Sequence, residues 1–355
     1  NGHQEYPYNF KKVLNALNNL FGSKVGKGES FKIENEVIEL SAEYYKGHQY
    51  ISLENNVGLV DELGNILDGD HILAVAALYL KENNDFSGTV HFIFQPAEEG
   101  GGGGRVMVEE GIFDKFPCQA VYGMHNFPGI AEGQFAVHDT AVMAANETLK
   151  ISIMGKGGHA AMPEQCIDPV VIGAQIINAL QSVVARNVAA LNSAVVSITM
   201  VDAGYASNVI PNEMNLTGSL RYFTKEVGDD VKENIKNIVN GISSSMGATA
   251  TFESIPNYPA TINIPKHAEL CANAAAMVVG NKNVLRSEPP TMGSEDFAFL
   301  LNASEGAYIW IGNGLVPEDS TRGGCMLHNT QYDFNDEILT IGTSYWVQLV
   351  QNILK

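Results

Sequence analysis

The chain has 355 residues, 45% of them hydrophobic and 17% charged, which is material for a folded core and points to more than one domain. Its 40 acidic against 21 basic residues give a formal charge of −19, a field that repels phosphate backbones and anionic membranes, so neither nucleic acid nor a membrane is an expected partner. No apolar run matches a membrane span, residues 1–10 show no signal-peptide pattern, and Cys118, Cys166, Cys271 and Cys325 form no CxxC pair. A cytoplasmic location is expected.

Along the chain, the first seventy residues predict a helix at Val13–Phe21 and a strand at Tyr50–Leu53. Val75–Leu80 is predicted as helical, Thr89–Phe94 as a buried strand, and Ala120–Gly123 as another. The clearest signal follows. Leu149, Ile151 and Ile153 alternate with polar residues as in a half-buried strand. Ile172, Ile176, Leu180 and Val184 then recur at helical spacing after Asp168 and Pro169, an N-cap followed by a first-turn proline. Val196–Met200 and Met214–Tyr222 alternate again, and Val227–Ile242 returns to helical spacing with Gly247 as its stop. A last strand starts at Ala248. The order is βαββαβ, as in ferredoxin-like domains.

Helices at His267–Val279, Phe297–Leu301 and Glu337–Leu354 flank a strand at Tyr308–Ile311, an alternation expected of an α/β layer with a mostly parallel sheet. The expected architecture is therefore a discontinuous α/β catalytic domain, 1–145 and 256–355, with an inserted ferredoxin-like domain, 146–255.

Chemistry-bearing residues stand at the ends of these elements. Phe94-Gln-Pro-Ala-Glu-Glu-Gly100 puts Glu98 and Glu99 where a strand stops, so that one carboxylate can ligate a metal while its neighbour moves a proton. A Glu-Glu pair taken alone is more often a solvated loop. His125 follows an apolar strand and His328 follows a glycine-rich loop; in an open α/β sheet such positions converge on one crevice. With Glu99 they make a partial shell for zinc or manganese, although each alone is more often a core or surface histidine. His159 lies in Gly155-Lys-Gly-Gly-His-Ala-Ala-Met-Pro163, where the glycines either allow close backbone approach or serve a turn of positive φ, and where the imidazole could donate to an oxyanion. Arg221 and Asn208 suit a carboxylate, though an arginine on a sheet is usually solvated. Neither G-x-S-x-G nor a P-loop occurs.

From about Phe86 onward these segments, together with Asp202–Phe223, Met292-Gly-Ser-Glu-Asp-Phe297 and Leu327–Asp336, resemble the metal-dependent aminoacylase and carboxypeptidase family, in particular its amidohydrolase branch. That branch includes hippurate hydrolases, indoleacetyl-amino-acid hydrolases and N-acetyldiaminopimelate deacetylases. The resemblance implies a catalytic α/β domain with an inserted lid, and cleavage of N-acyl amino acids with one or two divalent metals, Mn, Zn or Co. It also implies Glu98 as general base, Glu99, His125 and His328 as metal ligands, and His159 as the group that polarises the scissile carbonyl. Asn208 and Arg221 fall at substrate-binding positions, Glu295 and Asp296 at a supporting motif, and a homodimer or homotetramer is expected.

The chain departs from the family's H-x-C-G-H-D-G-H, carrying Asn65-Ile-Leu-Asp-Gly-Asp-His71 instead. Asp68, Asp70 and His71 either rebuild the missing half of the shell with harder ligands, or the site holds one metal or none. In the last case the chain is a pseudoenzyme that serves as a binding or scaffolding protein.

Overall fold

The computed structural model describes residues 85–315, 326–329, 332 and 334–355, together with 73, 76, 77, 79–81 and 83 and the backbone of 43–45 and 48–52. The expected helix at Val13–Phe21, the site residues Asp68 and His71, and Cys325 lie outside the described residues. These divide into two compact units. One takes in the described residues up to Thr140 with Ile262–Pro289 and Leu300–Lys355, and the other Ala141–Thr261 with Pro290–Phe299.

The first unit is α/β. Its central strand Glu305–Gly314 pairs in parallel with Ala120–Pro128 and antiparallel with Phe135–Ala136, which in turn runs parallel to Val284–Leu285. The sheet is thus mostly parallel. Ala307, Ile309 and Ile311 point into one core with Ala268, Ala275 and Val279 of helix Pro265–Val279 and with Ile338, Tyr345 and Leu349 of helix Ile338–Leu354. Tyr308 and Trp310 on the opposite face are buried too, which explains why this strand reads as a continuous apolar run.

Two expectations need correction here. The strand expected at Thr89–Phe94 shrinks to His91–Phe92, because among the described residues only those two pair, with Ser52 and Ile51. The strand expected at Ala120–Gly123 continues to Pro128, carried past its apolar stretch by an in-register partner that pairs Trp310 with His125 and Ile311 with Asn126. His125 therefore lies within a strand and not after it.

The second unit has the βαββαβ order. Strands Ala145–Met154, Ala194–Ala203, Glu213–Tyr222 and Thr249–Tyr258 form one sheet in which the last strand lies beside the first, the first beside the third, and the third beside the second, all antiparallel. Helices Pro169–Ser182 and Lys225–Ser245 bury Ile172, Ile176, Leu180, Val231, Ile235 and Val239 in the same core as Leu149, Ile151, Ile153 and Leu216. Asp168 caps the first helix by accepting the Val170 N–H at 2.9 Å, and Gly247 at φ +82° follows the end of the second. The helical stretch Pro169–Asn187, 19 residues, is long and apolar enough to cross a membrane by length and composition, contrary to the sequence expectation. Its Ile172, Ile176, Leu180 and Val183 are instead buried in the core of the unit.

One buried charge stiffens this sheet. Glu147 is 3% exposed and accepts from Ser254 Oγ at 2.6 Å, from the Lys232 ammonium at 3.0 Å and from the Tyr222 hydroxyl. Burial alone pushes its carboxyl up, but the three donors together outweigh burial and hold it below the usual glutamate value, so it stays the charged partner of Lys232.

Candidate active site

In the first unit the Glu98–Glu99 pair sits in a tight reversal. Ala97 adopts the left-handed conformation at φ +53°, a helical turn spans Glu98–Gly101, and Gly100 at φ +131° breaks it. The chain then folds back so closely that a Cβ on Gly103 would lie 1.7 Å from the Pro96 carbonyl oxygen. Glycine is obligatory there. The two carboxylates differ in exposure: Glu98 is half-buried, whereas the Glu99 side chain is 77% exposed.

His328 enters from the C-terminal loop with its backbone at φ +64°, in the left-handed region that residues other than glycine seldom adopt. Its Nδ1 lies 3.6 Å from Glu99 Oε2, so two residues separated by most of the chain are brought side by side. His125 is half-buried in its strand, and its Nδ1 lies 2.5 Å from the Asn126 carbonyl oxygen. A carbonyl only accepts, so Nδ1 carries the proton and Nε2 keeps the lone pair that a metal needs. Asn126 is in turn held through its side-chain oxygen by the Tyr332 hydroxyl.

Among the described residues no group of three His, Cys, Asp or Glu side chains is close enough to hold a metal ion, so the expected trio of Glu99, His125 and His328 is brought together only in its Glu99–His328 half. The donor chemistry fits a divalent metal nonetheless. The set offers a carboxylate and imidazoles of borderline hardness, one imidazole with its tautomer fixed by a backbone carbonyl, and the exposed Glu99–His328 pair is open to an entering ion.

In the second unit His159 is exposed and pairs across a short antiparallel ladder, Gly158 with Ile210 and His159 with Val209. Asn208 adjoins it, its carbonyl accepting the Ala160 N–H at 3.0 Å. The glycines of this loop are not at positive φ. They permit close approach: a Cβ on Gly155 would lie 2.1 Å from the Ile167 oxygen, and one on Gly157 would lie 2.5 Å from the Ile210 oxygen.

Arg221 is half-buried rather than solvated. Its Nη1 donates to the Met292 carbonyl at 2.7 Å and to Ser294 Oγ at 3.0 Å, tying the strand to the Met292–Phe297 segment. That segment contributes buried Glu295 and Asp296, and Glu295 Oε1 accepts the Phe297 N–H at 3.1 Å where the helix Phe297–Ala303 begins. Local patterns in the sequence give no sign of the Arg221 contacts, because their partners lie more than seventy residues away.

An α/β sheet with a carboxylate and a histidine side by side, next to a second carboxylate, is an arrangement that metal-using hydrolases employ. The chain belongs to peptidase family M20/M25/M40, whose model matches residues 64–352. It is 35% identical over 298 residues to N-acetylcysteine deacetylase of Bacillus subtilis strain 168, covering 84% of this chain and 75% of that protein. To the hippurate hydrolase of Campylobacter jejuni it is 36% identical over 283 residues, covering 80% of this chain and 72% of that one. Among solved structures, a Bacillus subtilis protein described as a dinuclear metal binding peptidase of the M20 family superimposes with a TM-score of 0.64 at 30% identity, over 79% of this chain and 68% of that one.

Proposed function

We propose that this chain is a metal-dependent amidohydrolase that cleaves the amide bond of N-acyl amino acids. The observation that carries the reading is the pairing of Glu99 with His328 at 3.6 Å, directly after Glu98 in the same turn. A divalent metal, Mn, Zn or Co, supplies Lewis-acid polarisation when bound and makes water easier to deprotonate. Glu99, His125 and His328 would hold it, with Asp68 and His71 as the further donors. Glu98 takes the proton from the attacking water and returns it to the leaving amine. His159 donates a hydrogen bond to the carbonyl oxygen as charge builds there, supplied by the same chain or by a second copy. The alternative of a binding protein without catalysis has the departure at Asn65–His71 in its favour, while the relatives that match most of this chain carry the names of hydrolases.

Arg221 and Asn208 are the proposed grip on the substrate carboxylate. The Arg221 bonds to Met292 and Ser294 both use Nη1, and a guanidinium carries further N–H donors suited to a planar anion. Arg221→Ala is expected to raise KM about tenfold or more for hippurate and to leave an uncharged benzamide analogue unaffected. An equal effect on both substrates would remove the carboxylate grip from the reading.

The reading extends to a cytoplasmic location, which four widely spaced cysteines without a CxxC pair suit. It also includes a homodimer or a homotetramer. The strand Ala194–Ala203 is the edge of its sheet and exposes Met200 at 65% and Val201 at 58%, a surface suited to a second copy of this chain.

A further inference from the structure

We propose that Asn212 is a positioning residue for His159, and that the loop it holds fixes which ring nitrogen of His159 faces the substrate. This rests on the assignment of His159 to the scissile carbonyl. The loop from Gly155 to Met162 leaves strand Ala145–Met154, and the segment Asn208–Asn212 takes up its N–H groups along one side. The Asn212 carbonyl accepts the Gly155 N–H at 2.8 Å, and its side-chain Oδ1 accepts the Gly157 N–H at 2.9 Å. The Asn208 carbonyl accepts the Ala160 N–H at 3.0 Å. Asn212 thus brackets Lys156 with two bonds, just ahead of the Gly158–His159 ladder.

The glycines make this grip possible, since a Cβ on Gly157 would meet the Ile210 oxygen at 2.5 Å and one on Gly158 would meet Cys166 Sγ at 2.7 Å. The loop is therefore seated directly on the Ile210 backbone and the Cys166 side chain, and a shift at Gly157 is passed to His159 two residues on. Beyond the histidine, the Ala161 N–H donates to His159 Nδ1 at 3.1 Å. A backbone N–H can only donate, so Nδ1 is the acceptor and the proton of the neutral ring sits on Nε2. The exposed tip of His159 then carries an N–H, the group an oxyanion requires. Without the Oδ1 bond to Gly157 the loop is free to move Ala161 off Nδ1, and the other tautomer would present a lone pair to the carbonyl oxygen.

Asn212 is exposed, so Asn212→Ala is expected to fold with the thermal midpoint of the parent. With hippurate and saturating manganese, it is expected to lower kcat about tenfold at constant KM, the scale of one orienting hydrogen bond. Asn212→Asp keeps the acceptor and should recover most of that loss. In a His159→Ala background the Asn212→Ala change should cost nothing further, because the residue it positions is gone. Nitrogen-15 NMR of the imidazoles should show His159 protonated on Nε2 in the parent and a mixture of tautomers in Asn212→Ala. Parent-like kcat in Asn212→Ala while His159→Ala is impaired, or losses that multiply in the double variant, would overturn the proposal. Full activity in His159→Ala would overturn the underlying role of His159 instead, so the two failures are told apart.

Discussion

Glu98→Gln is expected to abolish hydrolysis of N-acyl amino acids, lowering kcat by about 10²–10⁴-fold, the range associated with loss of a positioned proton-transfer group. Glutamine matches glutamate in size and can still accept hydrogen bonds, so the turn Glu98–Gly101 should keep its shape. What disappears is the ability to take a proton from water and pass it to the leaving nitrogen, which no neutral amide can do. Glu99 is not expected to substitute, because its carboxylate is exposed and paired with His328 whereas Glu98 is half-buried. Metal content should therefore remain at the parent value. Steady-state rates and elemental analysis on the same preparation check both halves, and retained turnover would move the base to another residue.

A comparably large effect is expected from a residue with no functional group. In Gly103→Ala the new methyl would have to occupy space 1.7 Å from the Pro96 carbonyl oxygen and 2.7 Å from its carbon. Both are backbone atoms and cannot swing aside, so Pro96 must move and carry Ala97, Glu98 and Glu99 with it. Displacements of about 1 Å at reacting groups cost on the order of 10²-fold in rate, and the overpacking itself costs about 1–3 kcal/mol. Gly103→Ala should therefore lose activity and metal affinity together, unlike Glu98→Gln. The control is Gly241→Ala, in the helix Lys225–Ser245, where the added methyl meets no atom within 4 Å. That change should stabilise the chain by about 0.5–1 kcal/mol and leave turnover alone. Urea denaturation and metal titration of the two variants distinguish the cases, and an active, metal-replete Gly103→Ala would show that the tight reversal is dispensable.

The second unit is readable in the sequence because its elements are amphipathic and switch cleanly between periods of two and nearly four. Leu149, Ile151 and Ile153 face the same core as Ile172, Ile176 and Leu180, and that shared burial is what the alternation records. Strand Ala120–Pro128 is only half readable, since Gly123, His125 and Asn126 interrupt the apolar pattern, and the extension past Gly123 comes from ladder bonds to Glu305–Gly314 that leave no local trace. The tight reversal at Ala97–Gly104 is signalled by its glycine run, but the run does not reveal that Gly103 abuts Pro96 whereas Gly100 faces open space.

The site shows the same division. Glu98, Glu99, His159 and His328 stand out as titratable residues in irregular or glycine-rich segments, and His125 as a histidine interrupting an apolar strand; residue type and family likeness single them out as candidates. Their supports are not. Asn212 follows a proline and reads as an ordinary turn residue, and its value lies in where its amide oxygen falls relative to Gly157. The Arg221 bonds to Met292 and Ser294 join strands of sequence that no periodicity connects.

Glu99, His125 and His328 are proposed to serve a catalytic metal even though Asn65–His71 lacks the family's cysteine. The most direct measurement is elemental mass spectrometry after dialysis against manganese, zinc or cobalt, with hippurate hydrolysis followed in the same samples. One or two metal ions per chain are expected, with release of free glycine that rises with metal occupancy, two ions marking Asp68, Asp70 or His71 as added ligands. A folded protein that binds no metal and releases no glycine would contradict that assignment.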